Sequence, residues 1–108
     1  MREYITVLTE SKWVNGSGWS YSTVNNTFES DTFDADAEID WDDILCFDNM
    51  DEETIKNEAE GDPEDIQWTL TTYKAADYDE NGSEATPLAE VEKWNSEAAS
   101  EYLERIAD

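Results

Sequence analysis

Residues 4–23 read YITVLTESKWVNGSGWSYST and determine how the chain begins to fold. The first part, Tyr4 to Thr9, is mostly β-branched or aromatic, which favours a strand. Asn15-Gly16 is a preferred centre for a type I′ hairpin turn. The residues after this turn alternate and therefore share one face of a returning strand: Trp19, Tyr21 and Thr23. The stretch predicts an N-terminal β-hairpin.

A third strand is expected to follow this hairpin. Asn25-Asn26 predicts a second tight turn, because Asn tolerates a positive φ. After Thr27-Phe28 the sequence alternates acidic and apolar residues, and we expect the strand to end near Ile39. The three strands would form an antiparallel meander.

The alternating stretch contains a carboxylate row, formed by Asp34, Asp36, Glu38, Asp40 and Asp42. In an extended chain these side chains would lie on one face, with about 6.6 Å between neighbours. Successive phosphates of one nucleic-acid strand lie roughly 6 to 7 Å apart through space. The row therefore predicts imitation of a polynucleotide backbone. The alternative is a solvated strand face whose acids protect an exposed sheet edge.

A short helix is expected directly after this strand. Trp41, Ile44 and Leu45 have helical spacing, and Asp40 would cap a helix that runs through Phe47.

A longer helix and a strand follow. Asn49 or Asp51 would cap the helix, and Gly61 and Pro63 would close it. The stretch Glu64 to Lys74 returns to period-two alternation, which predicts a central strand. Its apolar face is formed by Ile66, Trp68, Leu70 and Thr72.

The C-terminal part predicts a final helix, with Thr86 as its cap and Pro87 at its first position. Its apolar face would consist of Leu88, Val91, Trp94, Ala98, Tyr102 and Ile106. A second row of acids would lie away from that face, formed by Glu90, Glu97, Glu101, Glu104 and Asp108. A solvated helix face is the alternative, since Lys93 and Arg105 have the spacing to pair with Glu97 and Glu101.

These elements predict one α+β domain over residues 1–108, with a small, mainly antiparallel sheet covered by helices in the order β-β-β-α-β-α. The sheet would consist of the three-stranded meander and one later strand.

Charge is the strongest functional signal in this chain of 108 residues. It has 29 Asp and Glu against 6 Lys and Arg, for a formal net charge of -23. Residues 29–65, here called the acidic segment, hold 17 of the acids and one base, whereas residues 1–28 are neutral. Such a field attracts a basic protein and disfavours nucleic acid and anionic membranes.

Catalysis has little support in the sequence. There is no His, Cys46 is the single cysteine, and no Gly-rich phosphate loop or nucleophile elbow occurs, so the usual general bases and soft metal ligands are missing. We expect a non-catalytic protein without a cofactor. Met1 to Leu8 does not resemble a secretory signal, which favours a cytoplasmic protein.

A partial calcium-loop pattern occurs at Asp77, Asp79 and Asn81, followed by Gly82. The position of the bidentate Glu is Leu88, so a polar turn is the better interpretation and these three residues are a weak metal candidate.

The small size, the absence of His, the lone cysteine, the α+β pattern and the clustered acids of residues 29–65 resemble the small acidic inhibitors of phages and mobile elements. This class includes anti-CRISPR proteins, antirestriction proteins and the uracil-DNA glycosylase inhibitor. The resemblance implies a protein that occupies the nucleic-acid channel of a bacterial defence nuclease or repair enzyme in the host cytosol. A CRISPR effector nuclease is the first expected target, because its channel is broad and basic.

The charge pattern predicts which residues bind such a partner. The main set is Asp31, Asp34, Asp36, Glu38, Asp40, Asp42 and Asp43. The secondary set is Glu90, Glu97, Glu101 and Glu104. Trp19 or Tyr21 would be an aromatic anchor if exposed. Two other functions fit the composition: a salt-adapted acidic domain of unrelated function, and a calcium-binding module.

Overall fold

The hairpin of residues 4–23 begins a four-stranded antiparallel sheet in the computed structural model, which describes residues 2–61 and 64–107. The strands and helices are β1 (Tyr4–Val14), β2 (Gly18–Ser30), α1 (Trp41–Ile44), α2 (Glu52–Glu60), β3 (Glu64–Lys74), α3 (Ala75–Asn81), β4 (Ala89–Trp94) and α4 (Asn95–Ile106), with 3₁₀ turns at Phe47–Asn49 and Gly82–Glu84.

The sheet has the strand order β2-β1-β3-β4, and every neighbouring pair is antiparallel. The α+β class and the helix-covered antiparallel sheet are therefore confirmed. β3 occupies the central position that its apolar alternation predicted, between β1 and β4.

The first hairpin forms, but its turn is not type I′. Three residues separate the two strands, and the Ser17 backbone N–H donates to the Val14 carbonyl at 3.0 Å. Gly16 has a φ of +88°, whereas Cys46 is the only described non-glycine residue with a positive φ. Asn15 thus lacks the positive φ that the first position of a type I′ turn requires.

The expected turn at Asn25-Asn26 is wrong, because β2 continues through it to Ser30. Leu8 pairs with Asn26 and Thr9 pairs with Val24, which leaves Asn25 as the extra residue of a bulge. Both strands gain a partner over almost their whole length when Asn25 forms a bulge instead of a turn. A second bulge at Ser20 leaves Trp19 opposite Trp13 and Tyr21 opposite Lys12, so the prediction that Trp19 and Tyr21 share one face is wrong.

The expected start of the last helix is also wrong. The stretch Ala89–Trp94 is β4, and α4 begins only at Asn95. The sequence AEVEKW alternates at period two as well as fitting a helical apolar face. Pairing with β3, from Gln67↔Trp94 to Thr72↔Ala89, covers the edge that β3 would otherwise expose.

The two faces of the sheet are covered differently. On one face, α2 and α4 pack together over a core joined by Trp68 from β3. The buried members of this core are Leu45, Phe47, Ile55, Ala98 and Ala99. On the other face, α3 and the following 3₁₀ turn cover a smaller cluster of Ile5, Val7, Tyr73 and Ala85, against which Tyr78 packs.

The helix caps follow the sequence prediction at α1 and α2. The Asp40 carboxylate accepts the Asp43 N–H at 3.2 Å, and the Asp51 carboxylate accepts the Thr54 N–H at 2.8 Å. Gly61 ends α2 with a φ of +62°. The predicted stop at Pro63 lies outside the described residues.

A polar network joins α4 to its neighbours. The buried Asn95 accepts a hydrogen bond from the Trp68 indole N–H at 3.0 Å and donates to the Glu58 carboxylate. It therefore connects β3, α4 and α2 in the space between the sheet and the helices.

Candidate functional site

An acidic cleft lies between α4 and the end of residues 31–40, here called the acidic loop. It has a volume of about 740 Å³ and contains four carboxylates. Three of them come from the carboxylate row, Glu38, Asp40 and Asp42, and the fourth is Glu101 from α4. The cleft therefore brings part of the main predicted set together with part of the secondary set.

The local sequence folds the acidic loop as turns rather than as a strand. Asp34 accepts the Asp36 backbone N–H through its side chain at 2.9 Å, and its carbonyl accepts the Ala37 N–H at 3.2 Å. Six residues later, Asp40 caps α1. Short Asp side chains compete for nearby backbone N–H groups in this way, which favours turns and caps over a strand ladder.

Two apolar side chains attach this loop to the sheet. Phe33 is half-buried and packs against Tyr4, with ring centroids 5.7 Å apart. Ile39 is half-buried and lies with Leu70 and Val91 around a smaller pocket, on the face of the sheet that α2 and α4 cover. The acids between these two residues are held on the outside of the loop.

The expected single line of carboxylates is therefore wrong. Residues 31–40 form no strand, and the turn at 34–37 breaks the spacing that an extended chain would impose. The charges remain exposed at Asp34, Asp36, Glu38 and Asp40, but they follow a curved loop that leads into the cleft.

Two cations of the protein itself occupy part of the cleft. Arg105 binds Asp42 through two nitrogens, with Nε to Oδ2 at 2.9 Å and Nη2 to Oδ1 at 2.5 Å. Lys93 lies 2.5 Å from Glu101 and 3.3 Å from Glu97. Lys93 thus makes the predicted contact with Glu97, whereas Arg105 reaches Asp42 on another element.

These contacts favour the charged form of both bases. The hydrogen bond to Asp42 raises the pKa of Arg105 above its ordinary value. The hydrogen bond to Glu101 is the main cause of the raised pKa of Lys93, and the contact with Glu97 adds to it, although partial burial acts in the opposite direction. Asp42 and Glu101 are consequently neutralised in part by the chain itself.

Asp36 and Glu38 differ from those two acids. Both side chains are exposed, and neither contacts a cation of the described chain. Asp43 is exposed at the start of α1, and Asp31 is exposed directly after β2. Part of the negative charge that no cation of the described chain contacts therefore lies on the loop that borders the cleft, at Asp36 and Glu38.

The secondary set is divided by the structure. Glu97, Glu101 and Glu104 lie on α4, as predicted. Glu90 instead lies on β4 opposite Thr71, and its charge helps to raise the pKa of Tyr73 after the larger effect of burial. Tyr73 belongs to the sheet face covered by α3, so Glu90 is separate from the helical acids. Asp108 lies outside the described residues.

The weak calcium candidate does not form a loop. Residues 77–81 lie in α3, where Asp77 accepts from the Asn81 side chain at 2.7 Å and from the Thr86 N–H at 3.0 Å. Asp79 is bound by Arg2 at 2.7 Å. The helical backbone and these contacts direct the oxygens to protein partners rather than toward a shared centre.

The predicted condition for an aromatic anchor is met at both positions. Trp19 is 54% exposed and Tyr21 is 42% exposed. The Trp19 ring stacks on Trp94 at 5.8 Å and meets Trp13 edge-on at 5.1 Å. Because residues 89–94 form a strand and not the predicted helix, Trp94 joins this cluster instead of an apolar helix face, and the sequence did not predict the cluster.

Comparison of the chain with protein-family models, with curated proteins and with solved structures found no match. Within residues 2–61 and 64–107, no helix has the length and apolar character needed to cross a bilayer.

Proposed function

We propose that this protein is a non-catalytic inhibitor that binds a basic nucleic-acid-binding protein and presents carboxylates where that protein would hold phosphates. The first target class is a bacterial CRISPR effector nuclease, met in the cytosol of the host. The observation that carries the proposal is the acidic loop beside the cleft, where Asp36 and Glu38 are exposed without a cation from the described chain.

Recognition would depend mainly on arginine. A guanidinium binds a carboxylate through two parallel hydrogen bonds, which adds orientation to the charge attraction. A partner side chain that enters the cleft finds Glu38 and Asp40 more available than Asp42 and Glu101, since the latter two already contact Arg105 and Lys93. The loop acids would then compete with DNA for the same basic channel.

The direct test uses a purified CRISPR effector with its guide RNA and a fluorescent target duplex. The protein should displace the duplex in an anisotropy titration, and displacement should weaken as NaCl rises from about 50 to about 500 mM, because exposed charges are screened. The double reversal Asp36→Lys with Glu38→Lys should weaken inhibition by about tenfold or more, since like charges then face the basic channel.

The structure supplies a matched control. Glu80→Lys with Glu84→Lys makes the same change in net charge at two exposed positions after β3, far along the chain from the acidic loop. This variant should inhibit almost as well as the wild type. An equal loss of inhibition in both double variants would contradict a specific site, because it would show that inhibition depends only on the total charge. Adding Asp40→Lys to the first pair should abolish inhibition, but Asp40→Asn is the cleaner third change because Asn also caps a helix.

A second test does not assume the target. The wild type and the Asp36→Lys, Glu38→Lys variant are immobilised side by side, exposed to bacterial lysate at low salt, and eluted with increasing salt. Recovery of one basic nucleic-acid-binding protein by the wild type alone supports the proposal. Recovery of the same broad set of basic proteins by both forms contradicts it.

A further inference from the structure

The two edge strands of the sheet differ sharply in how they are protected. An edge strand presents unpaired N–H and C=O groups, and soluble proteins usually protect it with charges, proline, bulges or a covering element. β4 follows this rule, with three charged residues among its six: Glu90, Glu92 and Lys93. β2 follows it only in part, although its 13 residues make it the longest strand of the described chain.

β2 is interrupted by bulges at Ser20 and Asn25, but it lacks protection by charge or proline along most of its length. Residues 18–28 contain no charged residue and no proline, and Glu29 near the end of the strand is its only acid. Seven large apolar side chains are exposed among the described residues, and four of them lie on this strand. These four are Trp19, Tyr21, Val24 and Phe28.

Charge restricts what can pair with this edge. The chain has a net charge of -23, yet the two acids and two bases of residues 1–28 balance, so most of β2 lies in a region without net charge. A cationic partner is attracted to the acidic segment rather than to this strand. A second copy of the chain is repelled from every acidic surface, and β2 is where the two copies meet the least repulsion.

We propose that two copies of the protein pair through β2, in antiparallel orientation, to form a continuous eight-stranded sheet. Antiparallel pairing of identical strands is self-complementary. When one residue of the first copy contacts a second residue of the partner, the same two residues also meet with the copies exchanged. Val24 is the middle residue of β2, so it would lie beside its own copy at the two-fold axis when the two strands pair over their whole length. The acidic clefts, built on other elements, would remain open, so the inference does not depend on the proposed inhibitor function.

The test is the mass in solution, measured by light scattering during size-exclusion chromatography at protein concentrations from about 5 to about 200 µM, a range suited to a small interface. The monomer has a mass of 12.4 kDa, and we expect the mass to rise toward twice this value. The rise should be larger in about 500 mM than in about 50 mM NaCl, because salt screens the repulsion between copies. A cationic partner bound at the acidic loop should respond to salt in the opposite direction, which separates the two proposals.

Val24→Glu tests the surface directly, because it places two like charges beside the two-fold axis. It should raise the dimer dissociation constant by about tenfold or more. Leu88→Glu is the matched control, since Leu88 is also apolar and exposed but lies in the loop before β4. It should dimerise like the wild type.

Hydrogen exchange of the wild type provides a measurement that needs no variant. Amide protection should increase with protein concentration in β2 and remain constant in β4. A mass of 12.4 kDa at every concentration and salt, or protection that increases at β4 instead, would overturn the proposal. So would equal dimerisation by Val24→Glu and the wild type.

Discussion

Arg105 binds Asp42 through both Nε and Nη2, so the cleft beside the acidic loop holds a guanidinium on a carboxylate of the carboxylate row. The two residues are 63 positions apart, and the contact ties α4 to α1. It is an internal example of the contact proposed for the partner. An arginine of a target protein would have to compete with it for Asp42.

Removing this internal competitor should improve binding to a cationic probe. Arg105→Gln releases Asp42 and makes the net charge more negative by one. We expect affinity for a nona-arginine peptide to rise about two- to fivefold at low salt, the range of one exposed charge pair. Isothermal titration calorimetry measures this directly.

Lys56→Gln is the matched control for Arg105→Gln. It makes the same charge change on α2, where Lys56 lies 3.5 Å from Glu52 on the exposed face. Its effect on affinity should be smaller. Equal gains in the two variants would mean that the peptide senses net charge and not the cleft.

Asp65 is expected to stabilise the start of α4, although it lies on β3. Its carboxylate accepts the Ser96 N–H at 3.1 Å and the Ser96 hydroxyl, and also the Ile66 N–H at 2.8 Å. Asp65→Ala leaves these donors without their acceptor and should lower the free energy of unfolding by about 1–3 kcal/mol. Urea unfolding followed by tryptophan fluorescence measures the change. Glu80→Ala, at an exposed position, should change stability little, and a similar loss there would refute the capping role.

Gly61 should tolerate no side chain. Its φ of +62° favours glycine, and a Cβ would lie 2.8 Å from the Ser96 Cβ and 3.1 Å from an Asp65 carboxylate oxygen. Gly61→Ala should lower the melting temperature more than Gly16→Ala, because Gly16 has a similar φ but no atom within 4 Å of such a Cβ. The difference between the two variants isolates the packing effect. A smaller loss at Gly61 than at Gly16 would contradict the close approach of α2 to α4.

Local signals in the sequence were sufficient for β1, β3 and the capped start of α2. β1 was indicated by its β-branched and aromatic residues, β3 by its period-two alternation, and α2 by two candidate caps, of which Asp51 is the one used. The stretch 86–94 fits both a helix and a strand, and only the unpaired edge of β3 decides between them. That edge is 17 or more residues away along the chain, so no local pattern could report it.

The candidate site was predictable in composition but not in shape. The number and clustering of the acids are visible in the sequence. The sequence also predicted that the side chains of Asp36 and Glu38 are exposed. The cleft depends on α4 crossing beside residues 37–42, which is a tertiary contact. The turn at Asp34 could have been inferred from the tendency of Asp to bond the backbone two residues ahead, a signal that competed with the alternation and prevailed.

Low pH should destabilise α2, because it protonates the capping residue Asp51. The hydrogen bonds that Asp51 accepts from Thr54 lower the pKa of its carboxyl below the ordinary 3.8. A lowered pKa in the folded state stabilises the fold above pH 3.8, and this contribution is lost as the pH falls from there through the folded pKa.

The variant Asp51→Asn isolates that titration, because Asn still caps a helix but does not ionise in this range. The melting temperature of the wild type minus that of the variant should be largest near neutral pH and should shrink below about pH 4. Comparing the two proteins removes the background effect of the many other acids, whose protonation relieves repulsion. A difference that stays constant from neutral pH to about pH 2 would show that Asp51 does not act through its charge.

Salt should stabilise the protein without being required for folding. With 29 acids and 6 bases, the carboxylates of the folded chain repel one another. Salt screens this repulsion, so the melting temperature should rise as NaCl increases from about 10 mM to about 1 M. The buried core around Phe47 and Ile55, together with the neutral first hairpin, provides stability that does not depend on salt. Circular dichroism should therefore show a cooperative melt even in the lowest salt. A chain that is unfolded at low salt and folds only near molar NaCl would favour a salt-adapted domain over an inhibitor that uses its field for binding.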